Sequence, residues 1–195
     1  MRRGCARACP PPAGRHEAAP VGRMRCMTDR IELRLARASD AARIARMSRE
    51  LIEAGLGWSW DAPRVGRLIA ERETLSLVAV DRLGLVGFAI LHFGDERAHL
   101  FLLAVQPRRQ RQGVARRMLG WLLESARAAG IAELSLELRA GNAGARAFYR
   151  TLGFSDAGLV SGYYQQREAA LRMVRVLRRM DGAAPVWQAP TLRRS

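Results

Sequence analysis

From Arg108 to Arg117 the chain reads RRQRQGVARR, five arginines in ten residues around one glycine, Gly113. A turn of that kind suits an anion: arginines attract it, and a glycine lets backbone N–H groups approach it closely. Phosphate is the obvious candidate, yet neither common phosphate loop is present. No Lys-Ser or Lys-Thr pair follows Gly113, and the three glycines of a dinucleotide fingerprint are missing. A second stretch, AELSLELR (132–139), could handle protons. In an extended strand Leu134, Leu136 and Leu138 face one side, and Glu133, Ser135, Glu137 and Arg139 face the other. On that pattern alone the polar side reads as a solvated strand face. His99 is a further titratable group, and a histidine on a half-exposed strand is usually structural.

These residues must be positioned by a regular framework, and the apolar periodicity supplies one. IELRLA (31–36) alternates as a strand. Ser39 can cap a helix with Ile44, Met47 and Leu51 on one face, ending at Gly55. GWSWDAP is a loop, and Asp61 can cap a short second helix carrying Val65, Leu68 and Ile69. LSLVAV (75–80) and LVGFAILHF (85–93) flank a turn at Asp81 to Gly84 and form a hairpin. AHLFLLAVQ (98–106) is a fourth strand, ended by Pro107. Residues 113–129 place Val114, Met118, Leu122 and Ala126 on one helical face, closed by Gly130. Residues 132–138 form a strand, Asn142 caps a helix to Leu152, and two strands follow near Phe154–Ala157 and Leu171–Leu177. The order is β-α-α-β-β-β-α-β-α-β-β, a mixed α/β sheet.

A chain of 195 residues that is 49% hydrophobic is long enough for one cored domain. Apolar runs far short of a membrane span, and a start without a secretory apolar stretch, point to a cytoplasmic protein with no membrane partner. The net charge of +15 is carried unevenly, and all 33 basic residues are arginine. Residues 1–26, 27–169 and 170–195 each carry a net +5, so the long middle is only mildly basic. Basic ends can touch nucleic acid, but solvated arginine-rich tails explain them more simply, and nucleic acid is not the expected partner. Cys5, Cys9 and Cys26 all lie in the first 26 residues, and with His16 they match no zinc-finger spacing, so no metal is expected. The same segment has three consecutive prolines and no periodicity; residues 1–26 read as a disordered extension. Met24 and Met27 offer alternative starts. The folded domain is expected over 27–180, with a flexible tail at 181–195.

Three segments together resemble the GNAT superfamily of acetyl-CoA-dependent N-acetyltransferases, over about residues 30 to 178. LLAVQPRRQRQGVARRML is similar to the family's acetyl-CoA motif, matched at Gln110, Gly113 and Ala115. GNAGARAFYRTLGF is similar to its second motif, with Asn142, the Phe148-Tyr149 pair and Gly153-Phe154. LSLELR lies upstream at the spacing of the bacterial ribosomal-protein alanine N-acetyltransferase branch.

The resemblance implies a mostly antiparallel sheet whose fourth and fifth strands splay apart, with acetyl-CoA as cosubstrate. The anion at the loop would be the pyrophosphate of coenzyme A, met by backbone N–H groups of Arg111, Gln112, Gly113, Val114, Ala115 and Arg116 at a helix start. Arg108, Arg109, Arg111 and Arg116 either add attraction for the phosphates or are solvated. The pantetheine arm would pair with the strand backbone at Leu103, Ala104 and Val105, as an added strand does. Asn142 would contact the cofactor or simply cap its helix. Glu137 matches the family's base position and Tyr149 its acid, protonating the departing thiolate. Tyr149 could instead only pack; next to a core-facing Phe148, its hydroxyl is expected toward the cleft. A backbone N–H near Leu103 would hold the oxyanion. Other bases in view are His99, Glu96 or a water chain. Trp58 and Trp60 would shape the acceptor pocket or anchor packing.

The implied activity is direct transfer of the acetyl group to a primary amine in a ternary complex. Tyr163 and Tyr164 resemble the branch's peptide-receiving segment. Val160 and Ser161 stand where basic residues are expected, and only Glu168, followed by Ala169, remains of an acidic pair. The acceptor is therefore open between a protein N-terminus and a small amine. The alternatives are a non-catalytic acyl-CoA-binding domain and an arginine-rich nucleic-acid-associated protein. A homodimer is compatible with either enzyme reading.

Overall fold

The computed structural model describes residues 30–164 and 168–178. Its elements are β1 (Glu32–Leu35), α1 (Ala41–Leu51), α2 (Ala62–Ala70), β2 (Thr74–Asp81), β3 (Gly84–Phe93), β4 (Arg97–Val105), α3 (Val114–Ala128), β5 (Glu133–Arg139), α4 (Ala143–Arg150), β6 (Ser155–Tyr164) and β7 (Glu168–Val176). Short 3-10 turns precede α1 and follow β4. The seven strands form one sheet in the order β1-β2-β3-β4-β5-β7-β6. Every pairing is antiparallel except β4 with β5, which is parallel. The expected mixed, mostly antiparallel α/β sheet is therefore present.

Each face of the sheet buries its own helices. On one face Met118, Leu119 and Leu122 of α3 pack against Ala89, Leu91 and Leu134. On the other, Ile44 and Met47 of α1 and Val65 of α2 cover Val78, Phe88, Ile90 and Leu102. Alternation along β3 sends Phe88 and Ile90 to one core and Ala89 and Leu91 to the other. Each such large apolar side chain contributes about 1.5–3 kcal/mol by leaving water. No helix among the described residues is long and apolar enough to cross a membrane.

Element boundaries differ from the sequence expectation at several places: α1 ends at Leu51, before Gly55, β7 starts at Glu168, and two further differences have a local cause. Ser39 does not cap α1; it lies inside a 3-10 turn, and α1 starts after Asp40. The Asp40 carboxylate accepts from the Arg37 N–H at 2.8 Å and from the Arg34 guanidinium at 2.7 and 3.0 Å. The Asp40 side chain is therefore turned back to Arg34 and Arg37 and does not cap α1 either. The sixth strand is ten residues long, not four. Ser155 to Leu159 are all exposed, so no apolar alternation marks this edge strand. It is held by pairing with β7, with an irregularity at Asp156/Gly158, where Gly158 has φ +144°. Residues 1–26 and 181–195 lie outside the described residues.

Candidate active site

The parallel pairing of β4 with β5 is short. It runs from Arg97↔Glu133 to Leu100↔Leu136 and stops there, although β4 continues to Val105 and β5 to Arg139. The strands part, and a cavity of about 410 Å³ opens between them. That lies within the 300–1,000 Å³ typical of small-molecule sites. Leu103, Ala104 and Val105 line it from β4 and Gln110 from the loop that follows, with Glu137 from β5 and Asn142 and Tyr149 from α4 and its cap. The far edge of β4 is paired with β3 from Ala98 to Val105, with a bulge at Phe101, so beyond Leu100 the edge facing the cavity is the one without a neighbouring strand.

The arginine-rich loop closes one end of this cavity. Gln110 turns its amide back to donate to the Val105 carbonyl at 2.9 Å. Arg111 takes φ +61°, the one left-handed residue other than glycine among the described residues. Such a conformation costs an ordinary residue about 1–2 kcal/mol, so neighbours must enforce it. Gly113 has φ +78° and caps α3; a Cβ there would meet nothing within 4 Å. The glycine is therefore required by its dihedral, and the space in front of it is open. Two left-handed residues two positions apart thus lead into α3, whose first N–H groups have no partner within the helix. Val114 is buried beneath the loop, Ala115 is half-buried, and Arg111, Gln112 and Arg116 are exposed.

The side chains of this loop differ from expectation. Arg108 and Arg109 are not solvated arms: both grip the buried Asp81, at 2.8 and 2.7 Å. Arg116 donates to Thr151 Oγ1 at 3.0 Å.

The polar face of β5 also departs from the pattern reading. It is not solvated: the Glu137 side chain is only 3% exposed. Its Oε2 meets His99 Nε2 at 3.0 Å and its Oε1 accepts from Arg172 Nε at 2.9 Å. Strand register explains both contacts. His99 pairs with Ser135, whose Oγ lies 3.0 Å from His99 Nδ1, and Arg172 stands directly opposite Glu137 on β7. Burial pushes the Glu137 carboxyl up, but His99 and then Arg172 outweigh it and hold the group below the ordinary carboxylate value. Arg172 and Ser135 were not singled out from the sequence. Arg172 lies in an expected strand, but only register could pair it with Glu137. Glu96 is at the closed end of the β4–β5 pair, bonded to Arg178 at 3.3 Å, away from this cluster.

Tyr149 is buried and lines the cavity. Its ring packs edge-on against Phe148 at 5.2 Å and Phe154 at 5.5 Å. Phe148 is the less buried of the pair, the reverse of the expected order. Asn142 caps α4, its Oδ1 accepting from Ala145 N–H at 3.0 Å, and it also lines the cavity.

Across the mouth runs the α1–α2 connection. The buried Glu53 organises it, accepting from the Ser59 N–H and hydroxyl at 2.7 Å each and from the Trp60 N–H at 3.3 Å. Arg139 of β5 ties it down through the carbonyls of Ile52 and Ala54. Trp60 lies against Phe101, 5.6 Å between ring centres, and is covered by the Arg64 guanidinium. Trp58 is half-exposed. The side chains of Tyr163, Tyr164 and Glu168 lie outside what is described. Among the described residues no group of three or more His, Cys, Asp or Glu could hold a metal ion.

Comparison with known proteins adds an independent line. The sequence model of the acetyltransferase (GNAT) family matches residues 44–154. The ribosomal protein bS18-alanine N-acetyltransferase of Escherichia coli (strain K12) is 42% identical over 80 residues, 41% of this chain and 54% of that protein. The chain thus spans about half the length of the curated relatives it matches. The crystal structure of the ribosomal-protein-S18-alanine N-acetyltransferase from Escherichia coli superimposes with a TM-score of 0.65 at 27% identity, covering 81% of this chain and 100% of that one. The paia N-acetyltransferase from Thermoplasma acidophilum, in complex with coenzyme A, has the same fold, with a TM-score of 0.66 at 19% identity, covering 75% of this chain and 99% of that one.

Proposed function

Because this chain belongs to the acetyltransferase (GNAT) family, we propose that it is an acetyl-CoA-dependent N-acetyltransferase acting on the α-amino group of a protein N-terminus. The observation that carries this is the parting of β4 from β5 over Glu137 and Tyr149, beside a left-handed loop at the head of α3. Acetyl-CoA supplies the thioester carbonyl that the amine attacks. The loop from Arg111 to Arg116 offers converging N–H groups for its pyrophosphate. Leu103, Ala104 and Val105 offer a strand edge for its extended arm, and Asn142 a polar side chain beside it. An N–H near Leu103 polarises the carbonyl.

The amine must be neutral to attack. Glu137 takes the ammonium proton, the neutral amine attacks and C–N forms, C–S breaks as Tyr149 gives its proton to the departing thiolate, and the attacking nitrogen then loses its second proton to leave the amide and, through solvent, restore the tyrosine hydroxyl. The state of Glu137 favours one acceptor class. A carboxylate held low by His99 and Arg172 is a weak base. An α-ammonium, with pKa about 7.7–8.0, gives up a proton more readily than a lysine-type ammonium at about 10.4. The relative named above, an alanine N-acetyltransferase of a ribosomal protein, points the same way.

The test follows thiol release from acetyl-CoA with three acceptors. These are a peptide with a free N-terminus, the same peptide blocked at its N-terminus but carrying an internal lysine, and a small diamine. Release with the free N-terminus alone supports the proposal. Release only with the diamine overturns the acceptor assignment. Tight acetyl-CoA binding with no transfer to any amine supports a non-catalytic domain instead.

A further inference from the structure

The turn between β2 and β3 holds a buried anion that none of the chemistry above uses. The Asp81 side chain is 1% exposed. Its Oδ1 accepts from the Leu83 N–H at 2.8 Å, an ordinary turn contact. Its Oδ2 does something a hairpin does not need. It accepts from Arg108 Nη1 at 2.8 Å and from Arg109 Nε at 2.9 Å, two residues from the far end of β4. These arginines hold the Asp81 carboxyl well below the usual carboxylate range, against the opposing effect of burial.

From there the network runs on into the loop. Arg108 donates to Gln106 Oε1 at 2.9 Å, and its carbonyl accepts from Gln112 Nε2 at 2.9 Å. Arg109 Nη1 lies 3.4 Å from Gln112 Oε1. Arg111, the residue in the costly left-handed conformation, therefore sits between two anchored glutamines, Gln110 and Gln112. We propose that Asp81 is a positioning residue for the coenzyme-phosphate loop, fixing through Arg108, Arg109 and Gln112 the backbone turn at Arg111 and Gly113 that aims N–H groups at the anion. The proposal rests on the reading of this loop as the acetyl-CoA site.

Simple charge counting and positioning predict opposite signs. Replacing Asp81 by Asn removes a negative charge from a phosphate-binding neighbourhood, so electrostatic attraction alone would tighten acetyl-CoA binding. Positioning predicts weaker binding, confined to the phosphate end of the ligand. The experiment measures the affinity of wild type and Asp81→Asn for acetyl-CoA by calorimetry, and for S-acetylpantetheine, which has the thioester and arm but no pyrophosphate, by NMR titration. The dissociation constant for acetyl-CoA is expected to rise about tenfold, the scale of one charge-assisted hydrogen bond, while that for S-acetylpantetheine stays unchanged. Unchanged or tighter acetyl-CoA binding overturns the proposal, and so does an equal loss for both ligands. If Asp81→Asn does not fold, Gln112→Ala, at an exposed position, is judged by the same criteria, with a selective loss of about threefold expected. A wild type that binds no acetyl-CoA overturns the acetyltransferase reading and this inference together.

Discussion

The loop between β4 and α3 and the polar cluster on β5 both deal with charge, but they are built in opposite ways. The loop presents its backbone: Gly113 and Arg111 set the turn, and most of its side chains are exposed or turned back on the protein. The cluster acts through side chains that hold one another. Glu137 is nearly sealed from water, gripped by His99 from β4 and Arg172 from β7. The loop is contiguous in sequence, so a ten-residue window contains it. The cluster exists only once three strands are in register. The difference predicts that the proposed binding and proton-transfer roles are separable, since no residue of one region is a direct partner of the other in the bonds described.

The strongest way to break that separation is Glu137→Gln. Turnover is expected to fall about a hundred- to ten-thousand-fold, the usual worth of a general base, with partial recovery at high pH as free amine becomes available. Acetyl-CoA affinity should stay within about twofold by calorimetry, since Glu137 touches no loop residue. A parallel loss of affinity would show the two regions are one unit.

The converse variant is Gly113→Glu. A carboxylate placed in the open space before the loop repels the anion, and acetyl-CoA affinity should fall about a hundredfold. Gly113→Ala separates charge from conformation: it pays for φ +78° alone, about 1 kcal/mol. Near-equal affinities of the two variants would sink the pyrophosphate assignment.

A smaller effect sharpens the roles within the cluster. Tyr149→Phe should lower turnover about tenfold without alkaline rescue, because its proposed task is to give a proton, not to take one. Stopped-flow traces at two pH values distinguish this from Glu137→Gln. The smallest effect is a displaced profile. Arg172→Met removes the guanidinium beside Glu137, so the carboxyl pKa rises. The base is then protonated at higher pH, and the acid limb of kcat/KM moves up the pH scale. An unmoved limb would assign that limb to another group, with His99 the nearest.

How far the sequence could be read follows the same division. The element order was legible because each helix and buried strand carries its own period, as in Met118, Leu122 and Ala126 on α3. The turn at Gly113 was legible because a left-handed residue before a helix favours glycine, whereas the left-handed Arg111 carried no local signal, and Gln110 and Ala115 stood out only through the family motif. The surroundings of Glu137 were not. LSLEL alternates whether its polar side faces water or a protein partner, and only the register with His99 and Arg172 decides. Asp81 was read as a turn residue; its hold on Arg108 and Arg109 spans 27 and 28 residues of chain. The long sixth strand was hidden because an exposed edge imposes no apolar pattern.

The parting of β4 and β5 has a consequence for solubility as well. A free strand edge is ordinarily a template on which a second chain can build, and proteins spend charges, prolines and bulges to blunt it. Here the free edge lies in the middle of a seven-stranded sheet, between β4 and a diverging neighbour. An incoming strand would have to enter between two strands that are already paired with each other from Arg97↔Glu133 to Leu100↔Leu136. The gap lies inside the sheet, away from its rims at β1 and β6. The fold thus keeps an unsatisfied hydrogen-bonding edge for use without offering its neighbours a seed for aggregation.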